Sequence, residues 1–77
     1  MAEEIRQWCG FCVAFYRLKE EKHLTATLKS VAPIRDNPED ALRDAHRLEA
    51  GAERHLKQEG VTAQLIQLGI CPPEYLV

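Results

Sequence analysis

The sequence predicts a small α+β domain of ββαβ order, an antiparallel three-stranded sheet with one long helix on one face. Three observations carry this reading. Residues 38–59 have helix start and stop signals at both ends. Ahead of them lie two stretches rich in β-branched and aromatic residues, separated by a charged tip. Behind them lies one further apolar stretch. At 77 residues there is room for a single core, so residues 1–77 are read as one domain.

The hairpin is expected over about 8–34. Gly10 to Leu18 supplies Phe11, Val13, Phe15 and Tyr16, and His23 to Ile34 supplies Thr25, Thr27 and Val31, with Lys19-Glu20-Glu21-Lys22 as the tip. Ala32 precedes Pro33 and is biased to extended geometry, which places the end of the second strand near there. The competing reading is a small all-α bundle, because Ile5, Trp8, Cys9, Cys12, Val13 and Tyr16 also recur at spacings of three and four.

The helix over about 38–59 starts at Asn37, a good N-cap, with Pro38 at the first helical position and Glu39 and Asp40 in the first turn. Gly60 can take the left-handed cap. Ala41, Ala45, Leu48, Ala52 and Leu56 form the apolar stripe, while Glu39 with Arg43 and Glu53 with Lys57 are placed to pair on the wet side. A stripe built mostly of alanine lets the helix axis come close to a flat surface, which suits a sheet. Gly51 inside the helix is read as the mark of a close backbone contact.

Val61 to Leu68 is expected to be the third strand, over about 61–68, since a long capped helix needs a sheet to cover and a hairpin alone is marginal. A short helix capped by Thr62 and Gly69 is the alternative. Residues 71–77 form a tail in which Pro72 and Pro73 stop strand pairing.

Ten Lys and Arg against 12 Asp and Glu, net −2, is not the basic footprint of a duplex-binding protein, so nucleic acid is excluded as the primary ligand. The apolar run from Trp8 to Tyr16 is too short to span a bilayer, and no membrane role is expected. Three cysteines without framework spacing point to a reducing, cytoplasmic compartment.

Trp8-Cys9-Gly10-Phe11-Cys12 resembles the W-C-G-x-C dithiol of the thioredoxin family over five of 77 residues. That chemistry needs the first cysteine after a buried strand, at a helix N-terminus that lowers its pKa. The seven residues ahead of Trp8 do not hold the strand and helix that precede the motif in that family, and Phe11 stands where proline is usual. Cys9 and Cys12 are therefore read as small apolar residues of a buried segment. Zinc is the other chemical alternative, with Cys9, Cys12 and Cys71 as ligands of a thiol- or zinc-dependent regulatory protein. Residues three apart in a strand point to opposite faces, however, and the second half of a two-knuckle signature is missing. His23, His46 and His55 read as solvated or boundary residues, and no catalytic constellation is assembled.

No enzyme activity, cofactor or metal is expected. The first strand is apolar on both faces, Cys9, Phe11, Val13 and Phe15 alternating with Trp8, Cys12, Ala14 and Tyr16, and one helix covers only one of them. Trp8, Cys12 and Tyr16 are taken as the partner-binding set, unless the Pro72-Pro73-Tyr75-Leu76 tail folds over the free face. The expected function is a non-enzymatic protein-interaction module that binds a larger protein or forms a homodimer. A phage- or mobile-element-encoded, anti-CRISPR-like inhibitor of a host defence complex is its concrete form.

Overall fold

The structure, a computed structural model, describes residues 6–76. The elements are β1 (Trp8–Arg17), β2 (Thr25–Arg35), α1 (Pro38–Gln58), β3 (Ala63–Cys71) and a short 3-10 turn, Pro73–Leu76. The strand order is β2-β1-β3, and both outer strands run antiparallel to β1. The predicted ββαβ fold is the observed one. The all-α alternative fails because two rows of backbone groups pair with β1, whereas a lone N-terminal helix would leave its apolar residues without a seam.

Each end of α1 is closed by its own sequence. The Asn37 side chain accepts from the Glu39 backbone N–H at 2.7 Å, and Pro38 follows where its missing N–H is harmless. At the other end Gly60 adopts φ 77°, the Val61 N–H donates to the Leu56 carbonyl at 3.0 Å and the Gly60 N–H to that of Lys57 at 3.1 Å. This is a Schellman closure, and Val61 packs on the core containing Leu56, as the motif's apolar contact requires. Twenty-one helical residues span about 30 Å, close to the length of a ten-residue strand, so α1 covers β1 from end to end.

The face under α1 is made of small residues at its centre. Strand register places Cys12 beside Ser30 and Leu68, Ala14 beside Leu28 and Ile66, and Tyr16 beside Ala26 and Ala63. Cys12, Ala14, Ala52 and Leu56 form the buried cluster, with Tyr16, Leu28, Leu48, Ile66 and Leu68 packed around it. Ala41, Ala45, Ala52 and Leu56 are the buried apolar residues of the helix. The closest approach is at Gly10: a Cβ there would collide with the backbone carbonyl of Ala41 and lie 2.9 Å from the Ala45 nitrogen. The alanine stripe thus does what its composition suggests, but its glycine partner is on the strand. At Gly51, where a close contact was expected, a Cβ would meet nothing within 4 Å.

Other boundaries move for local reasons. β2 continues past Pro33 to Arg35 because it is an edge strand with a bulge: Cys9 pairs with Ile34 and Phe11 with Val31, so Ala32 and Pro33 together oppose Gly10. β3 runs on through Gly69 to Cys71 rather than ending at Leu68. The Phe11 ring occupies the space over Gly69, with Cζ 3.0 Å from where a Cβ would stand. On the helix surface Arg43 meets Asp40 at 3.2 Å rather than the expected Glu39.

Candidate protein-binding face

Alternation along β1 sends Cys9, Phe11, Val13 and Phe15 to the face opposite α1. Register across the sheet then builds rows on that face: Val31, Phe11 and Gly69; Lys29, Val13 and Gln67; Thr27, Phe15 and Leu65. Val31 is 54% exposed and Leu65 52%, while the three β1 side chains between them are half-buried by their neighbours. Lys29 is the one charged side chain within these rows. The result is an apolar strip along the centre of a sheet, flanked by Thr27, Lys29 and Gln67.

Val31 and Leu65 stay more than half exposed, so the tail does not cover these two residues of the strip. Residues 73–76 form their own 3-10 turn, in which Tyr75 is 75% exposed.

The structure places Trp8, Cys12 and Tyr16, the expected partner-binding set, on the helix side of the sheet rather than on its open face. Cys12 is 1% exposed beneath α1, and Tyr16 packs against the core cluster. Trp8 is half-buried and alternates in phase with Gly10 and Cys12, on the helix side, opposite Arg35. The open face is lined instead by Phe11, Val13 and Phe15, with Val31 and Leu65 from the flanking strands. The signal that separates the two faces is side-chain size. Gly10, Cys12 and Ala14 are the small set, and only small residues fit beneath a helix that presents alanines.

The cysteines are held as structural groups. The Cys9 thiol donates to the Ala32 carbonyl at 3.0 Å, satisfying an acceptor at the β2 bulge. Burial pushes the Cys12 thiol pKa up, and the nearby carboxylates of Glu49 and Glu53 push it further. Burial also raises that of Cys71, which stands opposite Cys9 in the ladder. Neither shift favours the thiolate that nucleophilic or redox chemistry uses. Cys9 bonds at the β2 bulge while Cys12 lies under the helix, so the C-x-x-C spacing does not bring both sulfurs to one point. Among the described residues, no group of three or more His, Cys, Asp or Glu side chains gathers as metal donors. His23, His46 and His55 are all exposed.

A cleft of about 580 Å³ lies between the hairpin tip and the end of α1, lined by Tyr16, Lys19, Glu20, His55 and Glu59 among others. It is broad and open, and its charges are solvated. No helix among the described residues is long and apolar enough to cross a membrane. Compared with protein-family models, with curated proteins and with solved structures, the chain matches none of them.

Proposed function

We propose that this chain is a non-enzymatic interaction module that seats the Phe11, Val13 and Phe15 face of its sheet on a larger protein. The observation that supports the reading is the uncovered apolar strip, with Val31 and Leu65 each more than half exposed beside two phenylalanines. Contiguous apolar surface of this kind, with a polar border, is characteristic of protein-binding sites, where buried aromatic side chains supply much of the affinity. The modest interior adds to the argument. Among the described residues the buried apolar ones are Cys9, Cys12, Ala14, Ala32, Ala41, Ala45, Ala52 and Leu56, nearly all small, so association adds burial that this interior lacks. Lys29, in the middle row, favours a partner surface that sets a carboxylate among apolar groups. An inhibitor of a host defence complex, carried by a phage or mobile element, is the concrete form of this proposal.

Affinity capture from cells that produce the chain, followed by quantitative mass spectrometry, tests it. Val31→Glu changes an exposed residue of the face, and His46→Ala changes the outer surface of α1. A protein captured by wild type and by His46→Ala, but reduced at least about tenfold with Val31→Glu, supports the reading. Equal capture by all three baits refutes it.

A further inference from the structure

We propose that Cys9 and Cys71 are a redox-active pair that closes reversibly into a disulfide between β1 and β3, with a soluble disulfide of the glutathione class as oxidant. This site is separate from the proposed function: it lies at the end of the strand ladder and needs no protein partner. Antiparallel register sets the two cysteines directly opposite one another, as the last pair of the β1–β3 ladder. Their side chains therefore leave the same face of the sheet. Residues so opposed have Cα atoms about 4.5–5.5 Å apart, inside the window of about 4.4–6.8 Å that a disulfide spans. Their Cβ atoms stand about 4.5–5.5 Å apart, against about 3.5–4.5 Å in a disulfide, so closure draws the two strand ends together by about 1 Å. Cys71 is the last residue of β3, where such a shift disturbs no further pairing. The strain that remains makes the bond easy to reduce again, which suits a switch rather than a permanent brace.

Two further observations support the pair. Burial raises the Cys71 thiol pKa and the neighbouring Cys9 raises it further, which places the two sulfurs within reach of each other's charge. Exposure separates their roles. Cys71 is half-buried, whereas Cys9 is only 4% exposed and its thiol donates to the Ala32 carbonyl. Cys71 therefore meets the oxidant, and Cys9 resolves the intermediate. The Cys71 thiol loses its proton and its sulfur attacks one sulfur of glutathione disulfide; a Cys71–glutathione bond forms, the original S–S bond breaks and one glutathione thiolate leaves. Cys9 then turns from Ala32, loses its proton and attacks Cys71 Sγ, forming the Sγ–Sγ bond and releasing the second glutathione thiolate. The leaving thiolates take up the two protons, so two protein thiols are oxidised as one glutathione disulfide is reduced. With its pKa raised, Cys71 attacks slowly at neutral pH and faster as pH rises. Cys12 takes no part, because it lies under α1 and stands opposite Leu68.

Disulfide mapping of the full chain tests the proposal. Wild type is equilibrated at pH 8 in glutathione buffers from fully reduced to fully oxidised, then quenched with acid, alkylated and digested for mass spectrometry, once folded and once in urea. In the unfolded chain the short C-x-x-C loop favours Cys9–Cys12 over the long loop to Cys71. Folding is expected to reverse that preference, giving Cys9–Cys71 at least about tenfold over Cys9–Cys12 within a single 8.8 kDa chain. Excess reduced glutathione is expected to open the bond, and Cys71→Ser to leave Cys9 reduced. A folded chain that yields Cys9–Cys12, stops at a glutathione adduct on Cys71 or stays fully reduced would overturn the proposal. So would the same pairing ratio in folded and unfolded chains, or a bond that excess reduced glutathione fails to open. Wild type alone supplies these comparisons, so no variant has to fold for the outcome to be decisive.

Discussion

Arg35, the last residue of β2, donates its Nε to Asp44 Oδ2 at 2.7 Å and its Nη2 to Oδ1 at 3.2 Å, tying an edge strand to the second turn of α1. Asp44 is the one buried charged residue among those described, and Arg47 approaches the same carboxylate at 3.8 Å. The paired fork geometry fills both carboxylate oxygens, which is what allows an aspartate to sit at the margin of the core. This tether locks the position of α1 over the sheet just where Ala41 and Ala45 pass across Gly10.

The pair makes acid stability depend on Asp44. The hydrogen bond from Arg35 holds its carboxyl below the ordinary value of 3.8, against an opposing contribution from burial. Because the folded-state pKa is depressed, the stabilisation is fully present above the unfolded carboxylate pKa and is lost as pH falls through the lower, folded value. Thermal melts of wild type should therefore fall off below about pH 4. Asp44→Asn should melt lower than wild type at pH 7 and lose less on acidification. An Asp44→Asn profile parallel to wild type down to pH 2 would contradict this.

Glycine substitutions should have opposite signs. Gly10→Ala forces a Cβ into the backbone of α1, where no side chain can turn aside, and should cost on the order of 3 kcal/mol or more. Gly51→Ala adds a methyl in open space within a helix and should stabilise by up to about 1 kcal/mol. Urea unfolding of the two variants measures both. Destabilisation by Gly51→Ala would mean that the helix makes a contact there after all.

The side-chain size pattern explains how much of this was legible in the sequence. Asn37, Pro38 and Gly60 announce the helix because capping is local, with every partner within a few residues. The strands follow from β-branched and aromatic residues, with ends displaced where a bulge at Pro33 or a ring over Gly69 rescues a residue that ordinarily stops pairing. Which face of β1 the helix covers is not local. Both alternating sets are apolar, and hydrophobicity alone does not choose between them. The choice becomes readable when the alanine stripe of α1 is matched to Gly10, Cys12 and Ala14 as the only set small enough to lie beneath it. The Arg35–Asp44 bond joins residues nine positions apart across a turn and a helix start, and neither residue type marks it in advance.

Thiol reactivity should follow burial. Cys12 lies under α1 with its pKa raised by burial and by Glu49 and Glu53, so it is a poor nucleophile in the folded state. Iodoacetamide labelling followed by mass spectrometry at pH 8 should modify Cys12 only at the rate at which the domain opens, and denaturant should remove the protection. Rapid native-state labelling of Cys12 would contradict its placement.

Adjacent substitutions on β1 test the assignment of the two faces most directly. Cys12→Glu buries a carboxylate beneath the helix near Glu49 and Glu53, whereas Val13→Glu projects from the open face beside Lys29. The measurement is the urea unfolding free energy of both variants against wild type. Val13→Glu is predicted to unfold cooperatively within about 1 kcal/mol of wild type, aided by its cross-strand cation. Cys12→Glu is predicted to lose more than about 4 kcal/mol, a large part of the stability of a domain this size, and to be largely unfolded. Equal losses from the two variants, or the greater loss from Val13→Glu, would mean that the Phe11, Val13 and Phe15 face is core and not a binding surface.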